Sequence, residues 1–123
     1  MTPEAAIAAR RRERASLIDV ARHWVAASRG GGARITQAWV FGSAARGDHH
    51  AGSDIDVLVV ATGLPDHPID RLRTLAPLPG RVEAVVWTPE EFAAAQRRGD
   101  QIAVEVAAVG VDVRAHPAPA SRS

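Results

Sequence analysis

The spacing of apolar residues changes along the chain, and each change predicts an element. Between residues 4 and 28, Ile7, Leu17, Ile18, Ala21, Trp24 and Val25 recur at helical spacing, and Gly30-Gly31-Gly32 then ends the predicted helix. Ile35 to Phe41 predicts a strand, Ser43 to Arg46 the first turn of a short helix, and the apolar run Ile55-Asp56-Val57-Leu58-Val59-Val60 a second strand. Thr62 to Pro68 is rich in turn residues. A short helix over 69–75 follows, broken by Pro77 and by Pro79-Gly80.

The run Arg81 to Trp87 predicts a third strand. Thr88-Pro89-Glu90-Glu91 then places a capping oxygen, a proline at the first helical position and a glutamate at the third, the start of a capped helix over 89–97. Asp100 opens another helix with Ile102, Val106 and Val109 inward, before Val111 to Arg114 returns as a short strand. The tail His116 to Ser123 is expected to be disordered. These elements predict one α/β (α+β) domain over residues 1–115, with no internal repeat.

Composition narrows the setting. A chain of 123 residues suits a single core, burying about two-thirds of its unfolded surface. Cysteine is absent, so no disulfide framework or thiolate metal site is available, which fits the cytoplasm of a bacterium. No apolar run approaches the ~20 residues of a membrane span. All fifteen basic residues are arginine, yet the formal charge is only +1, so direct nucleic-acid binding is not expected. Arg10, Arg11, Arg12 and Arg14 read first as a solvated helix face, with docking of an acidic partner as the alternative.

The chemistry concentrates between residues 42 and 56. Asp54 and Asp56 are two apart at the head of the second strand, so their side chains share a face, with Cα atoms roughly 6–7 Å apart. Two carboxylates so placed suit a hard divalent cation such as Mg²⁺ better than zinc. Upstream, Gly42 follows a strand and opens a helix. There it lets the backbone approach an anion, with helix N–H groups and the Ser43 hydroxyl as donors. Arg46 could add positive charge beside that anion, or pair with Asp48 or Asp54.

Gly-Ser-x-x-Arg-Gly, five residues, then Ser-Asp-x-Asp resembles the signature of the minimal nucleotidyltransferases, small members of the DNA polymerase beta-like superfamily. Gly42, Ser43, Arg46, Gly47, Ser53, Asp54 and Asp56 fill its fixed positions. The resemblance implies a small mixed β-sheet with flanking helices. It also implies transfer of a nucleoside monophosphate, AMP from ATP, to an acceptor hydroxyl with release of pyrophosphate. Gly42, Ser43, Arg46 and Ser53 would bind nucleotide and phosphate, and Asp54 and Asp56 would hold two Mg²⁺ ions, roughly 3.5–4 Å apart in such sites. A third carboxylate normally completes the family site from a neighbouring strand. Glu83 is the only acidic residue in the third predicted strand and is assigned that metal-binding and catalytic place, although the family usually carries Asp there. The extra methylene moves the carboxylate, and misplacement by about 1 Å can cost roughly a hundredfold in rate.

Larger members hold their acceptors with additional domains, for which this chain has no room, so the resemblance implies an acceptor on another chain. Small members are often antitoxins beside a helical HEPN-type ribonuclease toxin, which they neutralise by adding AMP to a tyrosine of the toxin or by binding it. This chain has no tyrosine of its own. The implied partner is therefore a HEPN-type toxin in a homo- or hetero-oligomer. A catalytically weak nucleotide-binding antitoxin and a homodimeric small-molecule nucleotidyltransferase are the alternatives. Asp48, His49 and His50 look like a ligand cluster, but the two loop histidines are expected to be solvated. Trp39 and Trp87 read as core or sheet-face residues, with base stacking as the alternative.

Overall fold

The computed structural model describes residues 1–50 and 52–114; the predicted disordered tail lies outside them. β2 (Ile55–Thr62) runs through the middle of a four-stranded mixed sheet, and all of it but Asp56 and Thr62 is buried. It pairs antiparallel with β1 (Arg34–Phe41) and parallel with β3 (Val82–Trp87), while β4 (Val111–Asp112) pairs antiparallel with the other edge of β1. A strand buried on both faces needs an unbroken apolar run, which is what Val57 to Ala61 supplies.

Helices cover the two faces. α1 (Pro3–Ser28) packs Leu17, Ile18, Ala21, Trp24 and Val25 against Val57, Val59 and Ala61. α4 (Pro89–Arg97) and α5 (Gln101–Val109) pack Phe92, Ala95, Ala103 and Val106 against Leu58 and Val60 on the opposite face. Because strand side chains alternate, Asp56 shares its face with Leu58 and Val60, and so looks toward the α5 side. Trp39 and Trp87 lie on that face with Phe92, at ring-centroid distances of 5.4 and 6.3 Å, and so belong to its apolar core.

The remaining helices are short: α2 (Gly42–Arg46) leaves β1 directly, and α3 (Pro68–Leu72) lies between β2 and β3. No helix among the described residues is long and apolar enough to cross a membrane.

The capping box before α4 is present, with Thr88 Oγ1 accepting from Glu91 N at 3.1 Å and Glu91 Oε1 accepting from Thr88 N at 2.9 Å. Other boundaries differ from expectation for local reasons. α3 starts one residue early, capped by His67, and ends at Leu72 because the next amides bond three residues back. β4 stops at Asp112, whose side chain turns back to accept from Arg114 N. In β1 the register to β2 slips between Ile35 and Gln37, a bulge that lets Ile35 and Ala38 face the same core three residues apart. Ile7 was expected on the buried face of α1 but is 52 % exposed, because this end of α1 meets the rest of the chain through polar side chains.

Candidate active site

Parallel pairing of β2 with β3 sets Asp56 directly beside Glu83. Glu83 shares parity with Val85 and Trp87, which pack on the same face as Leu58 and Val60, so the two carboxylates emerge on one face. Asp54, two residues before Asp56, adds a third where the strand begins, and both Asp54 and Glu83 are exposed. Among the described residues these groups do not converge as a closed metal-ligand set.

The site is electrostatically unfinished. Partial burial pushes the Asp56 carboxyl above its ordinary range, and the charges of Glu83, Asp54 and Glu105 push it further; only Arg46 opposes them. Crowded carboxylate oxygens short of countercharge are the donor chemistry that a hard divalent cation satisfies. Gly42 is shaped to the same carboxylate. Its φ is +74°, a left-handed conformation, and a Cβ there would collide with Asp56 Oδ2, so the turn must be glycine both for its backbone and for the acid against it.

Gly42 opens α2, which ends one turn later at Gly47, where Gly47 N and Asp48 N both donate to Ser43 O. Among the described residues no hydrogen bond engages the half-buried Ser43 hydroxyl. Arg46, at the end of this turn, donates from Nε to Asp48 Oδ2 at 3.2 Å and from Nη1 to Glu105 Oε2 at 2.8 Å. Its pairing with Asp48 was among the expected alternatives. The hydrogen bond to Asp48, then the charges of Asp48, Glu105 and Asp56, hold Arg46 protonated.

Ser53 is placed differently from the other motif residues. It is buried, its hydroxyl accepts from His50 N at 2.8 Å, and its carbonyl accepts from Arg81 Nε and Nη2 at 3.1 and 2.6 Å. Its side chain therefore closes the turn that delivers Asp54 to the strand.

Several residues at the site depart from the sequence reading. Arg14 donates to the carbonyls of Ala44 and Ala45 at 3.0 and 2.9 Å, and Arg10 to those of Gly47 and His49 at 3.1 and 2.7 Å. Two arginines read as a solvated face thus clamp α2 and the loop after it, and saturate carbonyls that a five-residue helix leaves open. Their spacing of four was the available signal, since it puts both on one helix face. His49 is only 1 % exposed, contrary to the expectation of a solvated loop residue. Its Nε2 lies 2.9 Å from Glu13 Oε1, on the same face of α1 as Arg10 and Arg14. Glu105 was likewise missed, although it is the only charged residue of α5.

Known proteins resemble this chain in sequence and in fold. A family profile for the nucleotidyltransferase domain matches residues 26–114. The fold is also similar to the crystal structure of a Sulfolobus solfataricus protein assigned as a nucleotidyltransferase, with a TM-score of 0.57, 23 % sequence identity, and 84 % of each chain covered. No curated protein matches the sequence. With Gly42, Ser43, Asp54 and Asp56 all inside the matched stretch, the chain belongs to the nucleotidyltransferase domain family.

Proposed function

We infer that the protein transfers AMP from ATP to a hydroxyl of a partner protein, as the antitoxin of a HEPN-type toxin. The observation that carries the transferase chemistry is the pairing of Asp56 with Glu83 across β2 and β3, with Asp54 alongside and the Gly42 turn against the Asp56 carboxylate. Asp54, Asp56 and Glu83 would hold divalent cations, which when bound neutralise phosphate charge and polarise the reacting phosphoryl group.

The chain's own residues then divide the remaining work. Gly42 brings the backbone close to the phosphates, the Ser43 hydroxyl donates to them, and Arg46 supplies a fixed positive charge. Glu83, exposed at the start of the edge strand, would take the proton from an incoming acceptor hydroxyl. The acceptor oxygen bonds to the α-phosphorus, the bond to the bridging oxygen breaks, and pyrophosphate leaves. Ser53 contributes through the turn that orients Asp54. An acceptor tyrosine must come from the partner, because this chain has none.

One observation favours a second function, neutralisation by binding alone: Glu83 is exposed and the three carboxylates do not close around a common point among the described residues. The two are separated by incubating the protein with Mg²⁺ and α-labelled ATP, with and without the product of an adjacent gene, and weighing every chain intact. A gain of one AMP on the partner, lost in the Asp54→Asn, Asp56→Asn double variant, is expected. No gain on any chain, together with neutralisation that survives the double variant, would establish the binding function instead.

A further inference from the structure

The guanidinium of Arg46 is held from two directions that differ in kind. Asp48 belongs to the loop that follows α2, two residues away, and its side chain is 63 % exposed; a pair of that sort follows the loop's motion and holds little by itself. Glu105 comes from α5, fifty-nine residues distant in sequence, at 2.8 Å and with its side chain 24 % exposed. α5 is a firm base: Asp100 caps it by accepting from Ile102 N, and Ala103 and Val106 anchor it in the core on either side of Glu105.

Two acceptors on different atoms fix both the position and the plane of a guanidinium. Here they engage Nε and Nη1, and Nη2 makes no hydrogen bond among the described residues. Without the α5 anchor, Arg46 would keep only the exposed loop carboxylate of Asp48, and nothing would oppose the draw of the acidic face, whose Asp56 already feels its charge. An arginine collapsed onto those carboxylates would compete with a divalent cation for the same oxygens.

We propose that Glu105 is a positioning residue of the nucleotide site: it holds the Arg46 guanidinium off the Asp54, Asp56 and Glu83 carboxylates and leaves its Nη2 edge open to a nucleotide phosphate. The inference rests on the nucleotidyltransferase function proposed above and adds α5 to the site. It accounts for a lone charge in an otherwise uncharged helix whose flank meets the end of α2.

The test titrates each of the four ribonucleoside triphosphates, at several Mg²⁺ concentrations, into the wild-type protein and its Glu105→Ala, Glu105→Gln and Arg46→Ala variants, and into the double variant. Glu105→Ala is expected to weaken triphosphate binding about tenfold and to raise the Mg²⁺ needed for half-saturation, while its melting temperature stays within about 3 °C of the wild type. Glu105→Gln, whose amide oxygen still accepts from Nη1, should recover part of the loss. In the Arg46→Ala background, Glu105→Ala should cause no further loss, since the loss acts through Arg46 and the direct repulsion of Glu105 on Asp56 works in the opposite sense.

Equal effects of Glu105→Ala in both backgrounds, or unchanged nucleotide and Mg²⁺ titrations, would overturn the positioning role while leaving the transferase function standing. A wild-type protein that binds none of the four triphosphates would overturn the transferase function itself, and the role of Glu105 with it.

Discussion

Gly42→Ala separates the two demands made on that turn, and Gly99→Ala is its control. Both glycines are left-handed, at φ +74° and +69°, but a Cβ on Gly99 would meet nothing within 4 Å, whereas one on Gly42 would strike Asp56 Oδ2. An L-residue in that conformation costs about 1–2 kcal/mol, and alanine recovers roughly half of that or less by restricting the unfolded chain. The net loss of about 1 kcal/mol lowers the melting temperature by about 3–5 °C for a domain of this size. Both variants should show this much. In Gly42→Ala the Asp56 carboxylate must also retreat by about an ångström to reach ordinary contact distance, and displacement on that scale costs roughly a hundredfold in turnover or a comparable weakening of Mg²⁺-dependent nucleotide binding. Thermal melts and MgATP titrations on the two variants read the terms separately. Equal nucleotide binding by Gly42→Ala and Gly99→Ala would refute the placement of Asp56 against Gly42.

Two further outcomes follow from charge and burial. The folded-state pKa of Asp56 is raised, so its contribution to stability is present below the unfolded value near ~3.9 and is lost as pH rises through the folded value. Asp56→Asn should therefore melt higher than wild type in metal-free buffer at pH 7, with the gain fading on acidification and with Mg²⁺ raising the melting temperature of wild type only; a lower melting temperature at pH 7 would contradict this. Arg71 is buried, pairs with Glu91 through both terminal nitrogens, and donates to the carbonyls of Pro65, Asp66 and Val86. Arg71→Ala should cost about 2–4 kcal/mol by chemical denaturation at pH 7. The hydrogen bond from Arg71 holds the Glu91 carboxyl below its ordinary range, so that part of the difference should shrink as pH falls below about 4; a pH-independent difference would exclude the pair as its source.

Stability and chemistry make opposite demands on the acidic face. Asp56 and Glu83 lie side by side where an apolar or amide pair would pack without repulsion, and the Arg71 and Glu91 pair sits beyond the far end of β3, stiffening its edge instead. Retaining repelling carboxylates at the one and spending an arginine at the other is the distribution expected of a site built for a ligand.

What the sequence determined by itself is whatever local geometry enforces. The apolar run after Asp56 specified a strand, and the spacing of Asp54 and Asp56 brought two carboxylates to its head whatever the strand paired with. Thr88, Pro89 and Glu91 specified a helix start within four residues, and Gly42 preceded its turn where a left-handed backbone was required. Tertiary structure decided the rest. Only the parallel register with β3 brings Glu83 beside Asp56, only a bulge near Thr36 lets Ile35 and Ala38 share a core, and only the docking of α1 and α5 turns Arg10, Arg14, His49 and Glu105 toward the motif. Apart from the bulge, each of these joins residues tens of positions apart, and an exposed arginine and one donating to a carbonyl are identical in sequence. Spacing governs which side chains share a face of one element, whereas the choice of partner element depends on how all the apolar faces are buried together.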